Sequence, residues 1–327
     1  MVCRDHAKFR HVSTASISIS LPISSRRPAP SRPTLLRDNQ VKHIILPDVL
    51  RPNDSCILPL PTGDELSYAQ VGRSKEVGQV WVLFHGTPGC RLSFQWIVNY
   101  AENNGIRVIV VDRPGYGHSS MHKRGMSGFV EDVKYLLDYL GIQEFRVYGV
   151  SGGGPYALAA AYYFAKSRLL KTLIMCGSTY PEFDQTAVQI RWRMHKWLRT
   201  WVPFWYQEMN FNVLLEKELR EAKDDSKKER YARLDSEEMQ RQGSRGYNND
   251  FRLLVRPWGF DLQNIDANPI MWYHGSLDLN TSADAAKATV GMINRHRRIV
   301  QFREIPGLDH FTLQENFLRE SLAWLQK

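Results

Sequence analysis

Residues 147–156 read Val147-Tyr148-Gly149-Val150-Ser151-Gly152-Gly153-Gly154-Pro155-Tyr156, a serine set among glycines where an apolar strand gives way to an alanine-rich helix. This is the form of a nucleophile elbow, a sharp corner that exposes the Ser151 hydroxyl. Gly149, Gly152 and Gly153 are needed there because a Cβ would collide with the following helix or with a substrate. Residues 145–150 alternate and are β-prone, while residues 155–165 (PYALAAAYYFA) predict a buried helix with proline in its first turn.

Outward from this corner the chain alternates short apolar runs with helical periodicity. Residues 56–60 and 65–71 predict two opening strands around the turn at 61–64. Residues 80–85 and 106–111 are continuous apolar runs of strand length, as expected of strands covered on both faces of a parallel sheet. Phe129, Val133, Leu136, Leu137 and Leu140 share one helix face. Further strands are predicted at 171–177, 270–274 and 299–305, and further helices at 282–294 and 313–326. Repeated β-α-β order implies right-handed crossovers and an α/β fold, a mostly parallel central sheet with helices on both faces.

The alternation lapses between about residues 180 and 265, a stretch too long for a structureless loop, so a helical cap inserted into the domain is expected. Within it Ile190, Met194, Trp197, Leu198 and Trp201 lie on one helix face, with Trp192, Lys196 and Arg199 opposite. Two readings compete for this basic amphipathic segment: a lid over a pocket, which is favoured, and an interfacial helix making peripheral membrane contact. The charge-dense run 216–238 reads as a solvated helix face.

A serine hydroxyl needs a base, and the base needs a partner that fixes its tautomer. Asp278 follows the predicted strand 270–274, and His310 follows the predicted strand 299–305. Both therefore emerge at the C-terminal edge of a parallel sheet, where open α/β sheets bind ligands. The order Ser151, Asp278, His310 is that of nucleophile-elbow enzymes; Asp309 is the weaker alternative for the acid. An oxyanion hole is expected from the N–H of Gly152 and, in the loop His85-Gly86-Thr87-Pro88-Gly89, from the N–H of Thr87. His85 and Gly86 read as support for that loop.

The 327 residues suffice for one large α/β domain, and the net charge of +9 is unevenly placed. Residues 1–50 hold eight Lys and Arg against three Asp and Glu, so the remainder is only mildly basic and shows no basic stripe for nucleic acid. This leader is expected to be disordered, with mitochondrial targeting as the competing reading. Cys3, Cys56, Cys90 and Cys176 show no paired spacing, which makes a reducing compartment, the cytoplasm, the expected location. No apolar stretch nears the roughly 18 residues that would span a bilayer. No H-E-x-x-H, Cys/His cluster or strand-following G-x-G-x-x-G appears, so neither metal nor cofactor is expected.

Together, the HGTPG loop, the segment DRPGYGHS at 112–119, the elbow GVSGG, the segment RPWGFD at 256–261, the aspartate loop and the final Asp309-His310 resemble the α/β-hydrolase superfamily over about residues 55–327. The resemblance implies an α/β-hydrolase fold with an eight-stranded sheet, a cap at the 180–266 insert and a structural role for Asp112. It also implies a serine hydrolase of carboxylic esters or related acyl compounds with a hydrophobic portion. Alternatives are a carbon–carbon bond hydrolase or metabolite-tailoring enzyme with the same triad, and a non-catalytic ligand receptor. Family members that open epoxides or displace halide carry aspartate at the elbow, unlike Ser151. The proline aminopeptidases usually carry HGGPG and GGSWG, which this chain lacks. Oligomeric state is not legible.

Overall fold

In the computed structural model, residues 41–43, 51, 53–72, 78–183 and 227–327 are described. They fall within one compact unit, residues 35–327. The amphipathic segment carrying Ile190, Met194, Trp197, Leu198 and Trp201, and the leader apart from residues 41–43, lie outside the described residues.

Nine strands among the described residues form one sheet in the order β1-β2-β3-β5-β4-β6-β7-β8-β9. They are β1 (Lys42–His43), β2 (Cys56–Pro59), β3 (Glu65–Gly72), β4 (Val80–Phe84), β5 (Arg107–Val111), β6 (Phe145–Val150), β7 (Leu169–Met175), β8 (Ile270–Gly275) and β9 (Val300–Ile305). From β5 through β9 every pairing is parallel, while β1, β2 and β3 join antiparallel at one edge. Strands β2 to β9 make up the eight that the resemblance implied. The two-residue β1 is an addition, pairing Lys42 with Ile57 and His43 with Cys56, so these two residues of the expected leader belong to the sheet.

Among the described residues the α-helices are α1 (Val98–Asn103), α2 (Gly125–Tyr139), α3 (Gly154–Tyr163), α4 (Lys227–Met239), α5 (Arg245–Leu254), α6 (Ala283–Ile293) and α7 (Thr312–Gln326). Parallel strands bury both faces, and the alternation in β4 shows how. Val82 and Phe84 pack into one core with Phe129, Val133 and Leu136 of α2 and Tyr156 to Ala160 of α3. Trp81 and Leu83 pack into the other with Ile97, Val98, Leu313 and Leu325. Each fully buried Val, Leu, Ile or Phe side chain among these contributes about 1.5–3 kcal/mol relative to exposure. Leu140, predicted on the inner face of α2, caps the helix one residue past its end and packs against the first core.

The sheet is thereby a rigid ruler. Loops leaving β4, β6, β7, β8 and β9 all open at the same carboxyl edge, where the proposed site residues are found.

Candidate active site

The corner after β6 turns through a short 3-10 segment, Ser151–Gly153, into α3. Ser151 takes φ +50°, a conformation that few non-glycine residues adopt, and this throws its side chain clear of both elements. The crowding that demands glycine is explicit: a Cβ on Gly149 would lie 2.6 Å from the Gly153 carbonyl oxygen.

Three side chains from three strand ends meet there. The Ser151 Oγ donates to His310 Nε2 at 3.0 Å, and His310 Nδ1 donates to Asp278 Oδ2 at 2.7 Å. The tautomer is assigned from this network: Nε2 is left as acceptor because Nδ1 gives its proton to the carboxylate. Asp278 is in turn held by the N–H groups of Asn280 (2.8 Å) and Thr281 (2.9 Å) and by the Thr281 hydroxyl (3.0 Å). Burial raises the Asp278 pKa, but hydrogen bonding and charge from His310, with the Thr281 N–H, outweigh it and hold the carboxyl below its ordinary value. Beneath it, buried His274 accepts from Trp272 Nε1 through Nδ1 and donates from Nε2 to the Thr281 carbonyl; burial depresses its pKa and keeps it neutral.

Asp309 does different work. Its Oδ1 accepts from the N–H groups of Phe311 and Thr312 and from the Thr312 hydroxyl, fastening the start of α7.

The loop after β4 lies across the elbow. An ideal Cβ on Gly152 would sit 2.7 Å from Thr87 Cβ and 3.2 Å from Thr87 N, so the two expected oxyanion donors are neighbours. An ideal Cβ on Gly86 would sit 3.6 Å from Ser151 Cβ. The Gly152 N–H is also at the amino end of α3, where free donors and the helix dipole favour negative charge. His85 is fully buried; Nδ1 donates to the Gly86 carbonyl (2.9 Å) and Nε2 accepts the Arg113 N–H (3.2 Å). Burial, then the nearby Arg113 charge, pushes its pKa well down, so it braces the loop as a neutral ring.

Two buried charge clusters support this loop. Asp112 accepts from the Arg91 N–H (2.6 Å), Arg91 Nη1 (2.9 Å) and the Ser67 hydroxyl (2.5 Å), consistent with the structural role the resemblance implied. Arg91 Nη2 also pairs with Glu238 of α4 at 2.6 Å. The second cluster centres on Asp250 of α5, which binds Arg113, Thr87, Tyr116 and Tyr156. Sequence reading missed Asp250, Glu238 and Asp235. The first part of the run 216–238 lies outside the described residues, and its end is not a solvated face: Glu238 is buried, and the Asp235 carboxylate accepts from Cys90 Sγ and Ser93 Oγ, each at 3.0 Å.

A cavity of about 540 Å³ opens over Ser151 and His310, bounded by Thr87, Phe94, Trp96, Met239, Tyr247, Phe251, Leu254 and Phe311 among others. Cys176, Asp278 and His310 bring ligand-type atoms within 4.8 Å of one another. Those atoms are already engaged with one another and with the protein: the Cys176 thiol, its pKa raised by burial, donates to the His310 carbonyl. Among the described residues no helix is long and apolar enough to cross a membrane.

The family described as alpha/beta hydrolase fold matches residues 80–317. A stretch of 130 residues is 35% identical to a 2-hydroxy-6-oxononadienedioate/2-hydroxy-6-oxononatrienedioate hydrolase of Paraburkholderia phymatum, covering 37% of this chain and 43% of that protein. The chain thus spans less than half the length of this relative. Similar solved structures include an esterase from Exiguobacterium antarcticum (TM-score 0.62, 18% identity, 83% of this chain and 99% of the other). An enol-lactonase from Burkholderia xenovorans is also similar (TM-score 0.57, 18% identity, 83% and 100%).

Proposed function

Because the chain belongs to the α/β-hydrolase family, we propose that it is a serine hydrolase cleaving carboxylic esters or related acyl compounds with a hydrophobic portion. The observation that carries this reading is the unbroken hydrogen-bond relay from Ser151 through His310 to Asp278.

As Ser151 Oγ attacks the carbonyl carbon, His310 Nε2 takes its proton and Asp278 stabilises the resulting imidazolium. The carbonyl oxygen becomes an oxyanion facing the N–H groups of Thr87 and Gly152. The intermediate collapses, His310 passes the proton to the leaving alkoxide, and an acyl-Ser151 ester remains. Water, deprotonated by His310, attacks that ester; the acid leaves and the proton returns to Ser151. The described end of the insert, from α4 through α5, acts in this reading as part of the cap, since Met239, Tyr247, Phe251 and Leu254 bound the cavity. Exposed Phe311 and Trp96 give it an apolar entrance, which supports a hydrophobic acyl or alcohol group.

The local likeness to the oxo-dioate hydrolase favours a second reading, hydrolysis of a carbon–carbon bond beside a ketone with the same three residues. The apolar side chains of Phe94, Trp96, Phe251 and Leu254 on the cavity wall support the ester with a hydrophobic portion first.

Labelling with a fluorophosphonate probe tests the proposal. Stoichiometric modification of Ser151, absent in Ser151→Ala and strongly slowed in His310→Ala, is expected. Absence of labelling in the wild type would favour a non-catalytic ligand receptor. Turnover of a β-diketone in preference to a p-nitrophenyl ester would favour carbon–carbon cleavage.

A further inference from the structure

Asp250 is almost fully buried, comes from the insert, and ends on the loop that faces the elbow. Its Oδ2 accepts from the Thr87 hydroxyl (2.8 Å), Arg113 Nη2 (2.6 Å) and the Tyr116 hydroxyl (3.0 Å). Its Oδ1 accepts from the Tyr156 hydroxyl (2.8 Å) and Arg113 Nε (3.2 Å). Arg113, fully buried, uses its remaining donors on the carbonyls of His85 and Gly86 and on Thr87 Oγ1.

The Gly86 carbonyl belongs to the same planar unit as the Thr87 N–H, and the two point in opposite directions. Arg113 Nη2 and His85 Nδ1 both hold that carbonyl, each at 2.9 Å, so the Thr87 N–H is turned away from Arg113. Asp250 fixes Arg113 bidentately and fixes the Thr87 side chain as well. The helix that bears Asp250 also presents Tyr247, Phe251 and Leu254 to the cavity, at i, i+4 and i+7.

We propose that Asp250 is a positioning residue that sets the direction of the Thr87 N–H and couples it to α5, the helix that meets the substrate. The inference rests on the reading of Ser151 as nucleophile and Thr87 as oxyanion donor. A substrate that seats α5 thereby seats the donor, and one too small to engage Tyr247 and Phe251 forfeits part of the stabilisation of the intermediate.

A purely architectural anchor would lower the melting temperature or raise KM; a positioning residue lowers kcat. Removing a whole oxyanion donor costs about 10²–10³-fold, so misdirecting one in Asp250→Asn is expected to lower kcat on a p-nitrophenyl ester by about 10–10²-fold with KM nearly unchanged. Affinity for an alkyl trifluoromethyl ketone, whose adduct with Ser151 carries the oxyanion, should fall by the same factor. Thr87→Val removes only the hydroxyl that Asp250 holds and should show the same pattern, and the double variant should be no worse than the poorer single. Thr87→Val carries the test alone where Asp250→Asn does not fold. Unchanged kcat in these variants, a loss confined to KM, or additive losses would overturn the inference while leaving an active wild type. A wild type that neither turns over ester nor is phosphonylated at Ser151 withdraws the reading beneath it, and the inference falls too.

Discussion

Ser151 and His310 stand 159 positions apart in the chain and meet with Oγ 3.0 Å from Nε2. The distance is set by backbone, because Ser151 is pinned at φ +50° and His310 lies two residues before the start of α7, which Asp309 fastens. The relay is most fragile at its far end. In Asp278→Asn the amide can present an N–H toward Nδ1, which then accepts, leaving the proton on Nε2 and no base facing Ser151. Ester turnover should fall by about 10⁴-fold with folding retained. Steady-state rates and the melting temperature of the variant check this, and an effect below tenfold would remove Asp278 from the proposed mechanism.

Gly152→Ala tests the proposed oxyanion hole from the other side. The new Cβ would overlap the Thr87 hydroxyl and lie 2.7 Å from Thr87 Cβ, and the loop must move to admit it. The expected result is a loss of about 10²–10³-fold in kcat, the scale of one lost donor, with phosphonate labelling of Ser151 slowed in parallel. Full activity would mean that Thr87 is not a donor.

How much of this was legible in the sequence follows a physical line. Continuous apolar runs at 80–85 and 106–111 located β4 and β5 because a strand buried on both faces has no polar face to confuse the pattern, and alternation of β-prone residues at 145–150 located β6. Ser151, Asp278 and His310 were legible because each lies just beyond a strand-length stretch, at 145–150, 270–274 and 299–305, and parallel strands deliver such residues to the carboxyl edge of the sheet. Asp250 was not. It sits in a polar helix, RGYNNDFRLL, and nothing local distinguishes a carboxylate that will be buried on Arg113 from one that will be hydrated. Asp235 and Glu238 were misread for the same reason: charge density describes a helix, whereas partners such as Arg91 and Cys90 come from loops more than a hundred residues away.

The Arg91–Asp112 pair is fully desolvated beside the loop after β4. Asp112→Ala removes the partner of the Arg91 guanidinium and leaves that charge to Glu238 alone. Breaking a buried pair from one side costs about 3–5 kcal/mol. Urea unfolding should show a lowered midpoint with an unchanged slope, the product of slope and midpoint shift giving that loss. A change within experimental error would show that the pair contributes no net stability.

Asp235 gives the stability a pH signature whose sign can be worked out. Burial, with a smaller push from Asp112, raises its pKa from the ordinary 3.8 to about 6, against the hydrogen bonds from Cys90 and Ser93 and the charge of Arg91. A carboxyl with a raised folded pKa holds its proton more tightly folded than unfolded. Stability therefore falls as pH rises from about 4 to about 6, and above that the full cost of burying the charge is present. Asp235→Asn keeps an oxygen acceptor for Cys90 Sγ and Ser93 Oγ and removes the ionisation. The variant should melt several degrees above the wild type at pH 8, with the gap closing as pH is lowered toward 4. A gap independent of pH, or a variant less stable than the wild type chiefly at pH 8, would mean that the carboxylate is held as a favourable anion between α4 and the loop after β4.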